Sequence, residues 1–568
     1  MSTMLVQLPE GVPDLGLASL RAAYSQGHSS PCALVRHLYS QWEAAASVFI
    51  HLRPLDDLLA DASVLEQQAP EQRGVLWGSL LGVKDNVDVG GLPTTAACPA
   101  FTYSPSGSAP LVAAMQAAGA LVVGKLNMDQ FAAGLVGTRS PYGAPCTPFD
   151  ARFISGGSSS GSGAAVGAGL LTAAVGTDTA GSGRVPAGLC GCVGLKPTLG
   201  SVSTLGVVPA AASLDCPTIF ARSVPDGAAF MRVMQAAAPE QAADVWRRCP
   251  PAPQGVPEPC TSFRFAVPPA ALTPWGGPGG PQAAGQAAEQ FKAAALRLQQ
   301  LGGQQVEIDW APFCRTAAML YGTSFVAERW AGIRDFIEKG APAAAAAGGD
   351  ALPADPSTAA VEGLTPGCKR AGQAAQHWLL ADTRFMKVTR AILASAATFN
   401  AADVFSHQSE LAALRAAAAA QLGKVEVLLV PTALAHFTTQ EVLSEEEREE
   451  PVWSRNALLG RFTNFVNLLD MCGVAVPSGL LHLDADTAEQ QAEAALAAGQ
   501  LGAEEAAAVS ARVQLLRASQ QPQAVLPFGV TLLSRAWRDE WLWQVADAMH
   551  QASGLGCGPQ GHGTTRPA

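Results

Sequence analysis

Charge is scarce in this sequence. Asp, Glu, Lys and Arg make up 15% of it, against about 25% in ordinary globular proteins. What charge there is leans acidic: 36 basic residues against 47 acidic ones give a net charge of −11. An acidic, weakly charged chain is a poor general nucleic-acid binder. Disorder is excluded for most of its length, because 48% of its 568 residues are hydrophobic and supply ample core material. At ~150 residues per domain the length suggests three or four units, although large α/β enzymes often run longer as one.

Paired cysteines are also lacking. The 12 cysteines contain no C-x-x-C, and the tightest pair, Cys190 and Cys192, has no His near it. That pattern argues against a zinc site or a disulfide framework and reads as free thiols in a reducing compartment. The N-terminal residues lack a basic segment followed by a long apolar one, carry Glu10 and Asp14 early and are not Arg-rich. No secretory signal or transit peptide is expected, so the location reads as cytoplasmic. The uncharged stretch 154–177 is nominally long enough to span a bilayer. Its first half is Gly and Ser, so it reads as a loop entering a buried helix of small residues, not as a membrane span.

The first 75 residues or so read as helical. Ser30 resembles an N-cap with Pro31 at the first helical position, and Leu34, Val35, Leu38, Tyr39 and Trp42 recur on one face. Short apolar strands then alternate with helices: a strand running into a polar turn at 79–89, a helix over 109–119, and LVVGK at 121–125. This alternation continues to about Phe220 and predicts an α/β fold. Further strands are expected at 263–267, 305–310, 427–431 and 526–533, with helices at 283–301 and 537–550. Segments 246–260 and 273–282 read as Pro/Gly-rich linkers. The acidic run 444–450 reads as a solvated face. Residues 341–357 are Ala/Gly/Pro-rich and read as disordered. Residues 484–522 read as an inserted surface helix pair.

Three segments concentrate Gly, Ser and Thr: GVKDN at 82–86, ISGGSSSGSG at 154–163 and GTDTAGSGRVPA at 176–187. Such runs aim several backbone N–H groups at one point, which suits a phosphate or an oxyanion. A nucleotide P-loop needs a Lys directly after its last Gly, yet none follows 156–163 until Lys196. The G-x-S-x-G elbow is half present at Gly181-Ser182-Gly183. No His lies between His51 and His377, although a triad His can arrive from elsewhere in the fold. The central block carries its own base, Lys84, at an apolar strand end. A neutral, desolvated lysine can activate a serine. Moving its pKa from ~10.4 to ~7 requires about 4–5 kcal/mol, and burial acts in that direction. On the residues alone, Lys84 also fits an ion pair with Asp85, and Ser158 and Ser182 also fit turn or cap positions.

In this order, GVKDN, the GGSSSGS run and GTDTAGSGR resemble the amidase signature family of Ser–cis-Ser–Lys hydrolases. Lys84 precedes Ser158 by 74 residues, and Ser158 precedes Ser182 by 24. The resemblance implies a large mixed twisted β-sheet covered by helices on both faces. It implies Ser182 as the acyl-enzyme nucleophile, Ser158 as a proton relay at a cis peptide, and Lys84 as the base. It implies an oxyanion hole from the N–H groups of Thr179, Ala180, Gly181 and Ser182. Asp178 and Arg184 read as a pair that holds this loop, and Cys190, Cys192 and Cys216 as core thiols.

GLPTTAACPAF at 91–101, DQFAAGLVGTRSPYG at 129–143 and SLDCPTIFA at 213–221 resemble the allophanate hydrolase branch more narrowly. So does Gly183, where amidases in general prefer an apolar residue. The match is close over 75–225 and weaker through LGRFTNFVNLLDMCGVAVPSG and LPFGVTLL. The implied reaction is hydrolysis of the amide of allophanate (urea-1-carboxylate), the second step of ATP-dependent urea degradation. It releases ammonia and, after decarboxylation, carbon dioxide. Tyr321 and Arg329 match family positions that hold the carboxylate, and a cation with a donor suits that anion.

The implied layout is an N-terminal helical region 1–75, a catalytic domain 76–553 with its signature core at 76–225, and a disordered tail 554–568. No metal or cofactor is implied, nor a nucleic-acid or membrane partner. A homodimer is. The substrate would come from a biotin- and ATP-dependent urea carboxylase. No Ala-Met-Lys-Met biotin motif is present, so that partner would be another polypeptide. Longer members carry a C-terminal domain for the decarboxylation. Here the sequence stops soon after the last amidase-like strand and helix, so the product is expected to decarboxylate spontaneously or on another protein. Two other readings stand beside this one. One is an amidase of different specificity, such as the glutamine-hydrolysing component of a tRNA-dependent amidotransferase. The other is an inactive scaffold, against which the three catalytic positions argue.

Overall fold

The computed structural model describes residues 6–237, 243–250, 262–275, 281–339, 379–447, 454–499, 503–518 and 521–561. Residues 251–260 of the linker expected at 246–260, part of that at 273–282, and the insertion 341–357 lie outside the described residues. The strands are β1 (Phe49–Leu52), β2 (Leu80–Lys84), β3 (Leu121–Leu126), β4 (Ala173–Asp178), β5 (Val193–Lys196) and β6 (Cys216–Ala221). They continue with β7 (Phe263–Ala266), β8 (Gly303–Gln305), β9 (Val427–Pro431), β10 (Met471–Asp484) and β11 (Gln523–Arg535). They form one mixed 11-stranded sheet in the order β1-β3-β2-β4-β6-β5-β10-β11-β9-β7-β8.

Successive residues of the central strands enter two different cores. Leu81, Val83, Val122 and Val175 pack with Leu111, Met115 and Phe230 from helices Pro110–Ala117 and Val224–Ala236. Leu80, Leu121, Val123 and Ala174 pack with Leu34, Leu38 and Trp42 of helix Pro31–Ala44, and with Ala165 of helix Ser160–Gly167. Apolar side chains in both phases of a strand are what a sheet covered on both faces requires.

Strand direction places the site. β2 pairs in parallel with β3 and β4, and β4 pairs antiparallel with β6, Asp178 opposite Cys216. The ends of β2 and β4 and the start of β6 therefore meet at one edge. Lys84, Thr177, Asp178 and Asp215 gather there, beyond the carboxyl ends of the parallel strands.

The structure departs from the sequence expectations in four places. The N-terminal region is not wholly helical, because its β1 pairs with β3 and becomes the edge of the sheet. The strand expected at 305–310 is β8, which ends at Gln305; Asp309 instead accepts the Ala311 N–H (2.9 Å) at the start of helix Ala311–Gly322. The acidic run is not a plain solvated face. Glu445 is buried and pairs with Arg455, and Glu446 pairs with Arg139 at 2.6 Å. The expected tail is ordered over 554–561: Cys557 is buried and Gln560 Nε2 donates to Val6 O (3.0 Å). Residues 562–568 lie outside the described residues. The expected helix pair is present, as Ala485–Ala497 and Ala503–Ala518 between β10 and β11. Among the described residues no helix is long and apolar enough to cross a membrane.

Ser30 Oγ accepts the Ala33 N–H (3.2 Å), as the capping pattern requires. The helix it starts is anchored by Trp42, which is fully buried and donates Nε1–H to Leu170 O (3.0 Å). Trp42→Phe leaves that carbonyl without its donor. It is expected to cost about 1–3 kcal/mol in urea unfolding; an unchanged midpoint contradicts the anchoring role.

Candidate active site

β2 ends on Lys84, whose side chain is fully buried. Nζ lies 2.8 Å from Ser158 Oγ and 2.8 Å from Thr177 Oγ1. Burial pulls the Lys84 pKa down from 10.5 to about 7, against the upward pull of Asp129, Asp215 and Asp178; Arg329 adds to the lowering. Nζ is the donor in both contacts, and loss of one proton leaves it a lone pair that can accept from a hydroxyl. Asp85, the neighbour that offered an ion pair, is engaged elsewhere. Its Oδ1 pairs with Lys125 Nζ at 3.3 Å, and its Oδ2 accepts from the N–H and hydroxyl of Thr95.

The Gly157–Ser158 peptide is cis. It is held on both sides: Gly157 N–H donates to Leu135 O (2.8 Å), and Ser158 O accepts from Asp129 N–H (2.9 Å). A Cβ at Gly157 would collide with Asp129 Oδ2, so no larger residue fits. The Asp129 carboxylate also accepts from the N–H groups of Gly137 (3.1 Å) and Arg139 (2.9 Å).

Ser182 follows β4 in a tight loop. Asp178 and Arg184 form a buried two-point pair (2.8 and 2.9 Å), as the sequence suggested. Burial pushes the Asp178 carboxyl up, but Arg184 outweighs it and holds the pKa below its ordinary value. Asn467 Nδ2 ties the loop to its surroundings by donating to Asp178 O (2.7 Å) and Leu214 O (2.8 Å).

The oxyanion set needs one correction. The Gly181 N–H already donates to Asp178 Oδ1 at 2.8 Å. Among the described residues the N–H groups of Thr179, Ala180 and Ser182 have no such acceptor. Gly181 itself, at φ +129°, has the side chain of Thr463 where a Cβ would sit. Its role is to let the loop turn beneath residue 463.

Arg329 is buried on helix Ala327–Gly332. Its Nη2 donates to Tyr321 Oη (3.1 Å) and its Nη1 to Ala132 O (3.3 Å). The two side chains that sequence places eight apart are thus in contact, and Arg329 is close enough to Lys84 to depress its pKa. A pocket of about 330 Å³ opens beside Tyr321, with Arg139, Asn456, Arg461 and Asn464 in its wall.

Sequence reasoning missed Thr177, Asp129, Asp215 and Asn467. Asp215 accepts the Thr179 hydroxyl (2.5 Å) and the Ala210 N–H (2.8 Å), so it fixes the far side of the Ser182 loop. Thr177 lies within GTDTAGSGR, but nothing in the string says that its hydroxyl meets a lysine 93 residues away. Cys190, Cys192 and Cys216 are buried free thiols. Among the described residues no three His, Cys, Asp or Glu side chains cluster so as to hold a metal ion.

With this geometry in hand, comparison with known proteins is decisive. The family model described as Amidase matches residues 33–542. The chain belongs to the amidase family. It is 39% identical to urea amidolyase of Lachancea kluyveri over 420 residues, 73% of this chain and 20% of that one. Against urea amidolyase of Saccharomyces cerevisiae the figures are 36% over 433 residues, 76% and 20%. The chain thus spans about a fifth of the length of these curated relatives. The structure of Kluyveromyces lactis allophanate hydrolase superposes with a TM-score of 0.72 at 29% identity, covering 95% of this chain and 73% of that one. A glutamyl-tRNA(Gln) amidotransferase component of Lawsonia intracellularis is 41% identical over 180 residues, 32% of this chain and 37% of that one.

Two outcomes follow for this amidase. If neutral Lys84 is the base, kcat/KM for an amide rises tenfold per pH unit below about 7 and levels above it; a flat profile between pH 5 and 8 contradicts this. Thr177→Val removes an acceptor that favours the ammonium. The acid limb should move to lower pH while the plateau falls roughly tenfold, the worth of about 1.4 kcal/mol. An unmoved limb with an unchanged plateau contradicts the contact.

Proposed function

We propose that this amidase hydrolyses allophanate through a serine–lysine acyl-enzyme mechanism. The observation that carries the reading is the contact of half-buried Tyr321 with buried Arg329, which lies within electrostatic reach of a lysine that contacts a cis-peptide serine. Arg329 offers a cation to the substrate carboxylate, and Tyr321 offers its hydroxyl.

Ser182 Oγ attacks the carbon of the terminal amide. Its proton passes to Ser158 Oγ, and the Ser158 proton passes to Lys84 Nζ. The N–H groups of Thr179, Ala180 and Ser182 receive the developing oxyanion. The intermediate collapses with cleavage of the terminal C–N bond, and the proton returns by the same relay to the leaving nitrogen as ammonia. Water then attacks the acyl-Ser182 ester and frees N-carboxycarbamate, which afterwards loses carbon dioxide. We also propose that a urea carboxylase supplies the substrate, and that the enzyme works in the cytoplasm as a homodimer.

The amidotransferase reading has less support, since that likeness covers 32–55% of the chain, against 73–76% for the urea amidolyases. The test is ammonia release from fresh potassium allophanate, beside glutamine, simple amides and the variants Ser182→Ala and Lys84→Ala. Preference for allophanate that vanishes in both variants supports the proposal. Glutamine turnover exceeding that of allophanate overturns the substrate. Arg329→Ala should raise KM for allophanate by about tenfold or more, an interaction of roughly 1.4 kcal/mol, while leaving KM for a neutral amide unchanged. An unchanged KM sinks the anchoring role.

A further inference from the structure

Two adjacent buried residues carry side-chain oxygens without a hydrogen-bond partner among the described residues: Thr463 Oγ1 and Asn464 Oδ1. Buried polar atoms nearly always find a partner, so each orphan needs a reason. Thr463 is fully buried and sits directly over Gly181 of the nucleophile loop. Asn464 is 8% exposed and lines the 330 Å³ pocket together with Tyr321. A Cβ on residue 460 would lie 2.6 Å from both terminal atoms of the Asn464 amide. Glycine at 460 makes the space in which that amide lies. Residues 463–464 therefore bridge the loop that attacks the carbonyl and the Tyr321–Arg329 pair that would hold the carboxylate.

We infer that Asn464 is a specificity residue whose Oδ1 accepts the inner N–H of the substrate. This rests on the allophanate reading. In allophanate that N–H lies between the attacked carbonyl and the carboxylate, the same span that residues 463–464 bridge. An orphan acceptor calls for a donor, which the inner nitrogen supplies and a methylene does not. Malonamate differs from allophanate in that one group, NH replaced by CH₂. A site built to hydrogen-bond a substrate N–H rejects the analogue lacking it, because its own polar atom then stays unpaired.

The experiment measures kcat/KM for allophanate and malonamate in the full chain, in Asn464→Leu and in the isosteric Asn464→Asp. Labelling of Ser182 by a neutral acylating reagent reports an intact site. The ratio of the two specificity constants cancels the intrinsic reactivity difference of the substrates. It is expected to fall by about tenfold or more in Asn464→Leu, by loss on allophanate alone. Asn464→Asp keeps the acceptor and adds a negative charge beside an anionic substrate. It should preserve the ratio and raise KM for both compounds. An unchanged ratio in a labelling-competent Asn464→Leu overturns the inference alone. If Asn464→Leu does not label, unchanged KM values in Asn464→Asp overturn it. Absence of allophanate turnover by the wild type overturns the inference together with the reading beneath it.

Discussion

A buried lysine without a contacting carboxylate is the constraint around which this site is arranged. Lys84 touches two hydroxyls, those of Ser158 and Thr177. Lowering its pKa from 10.5 to about 7 corresponds to about 5 kcal/mol against the charged form. The nearest carboxylate in sequence, Asp85, would cancel that effect. Lys125 and Thr95 hold it instead. Two neighbouring lysines thus have opposite environments: Lys125 is paired with the acid, and Lys84 meets only hydroxyls among the described residues.

Three of the remaining buried charges, Asp178, Asp129 and Asp215, serve backbone geometry. Asp178 is neutralised by Arg184 and directs the N–H groups of Gly181 and Gly183 inward. The N–H groups of Thr179, Ala180 and Ser182 have no acceptor among the described residues. Asp129 braces the segment carrying Ser158, and Asp215 braces the Thr179 side of the nucleophile loop. Removing one partner of a buried pair strands the other charge. These acids therefore fix loops with little freedom to relax. The parallel pairing of β2 and β4 brings the braced loops to one edge of the sheet.

Much of this was legible in the sequence, for local reasons. Strands such as 427–431 are bounded apolar runs, and β9 occupies that stretch. The Gly/Ser runs flagged segments that aim several backbone N–H groups at one point, and Lys84 stood out as a base at an apolar strand end. Partners across the fold were not legible. That Asp85 faces Lys125, that Thr177 receives Lys84 and that Glu446 meets Arg139 depend on register and crossover, which no local pattern encodes. The commitment of the Gly181 N–H to Asp178 was hidden for another reason. A motif that names four amide groups does not say which of them the loop itself consumes.

The central claim is that Lys84 is a neutral base near physiological pH. The most direct measurement is an NMR titration of the lysine side-chain amines in the intact chain, with Lys84→Ala assigning the resonance. The account predicts a single Lys84 transition near pH 7, well below the range of ordinary surface lysines. A Lys84 resonance that stays in its ammonium form up to pH 10 contradicts the account.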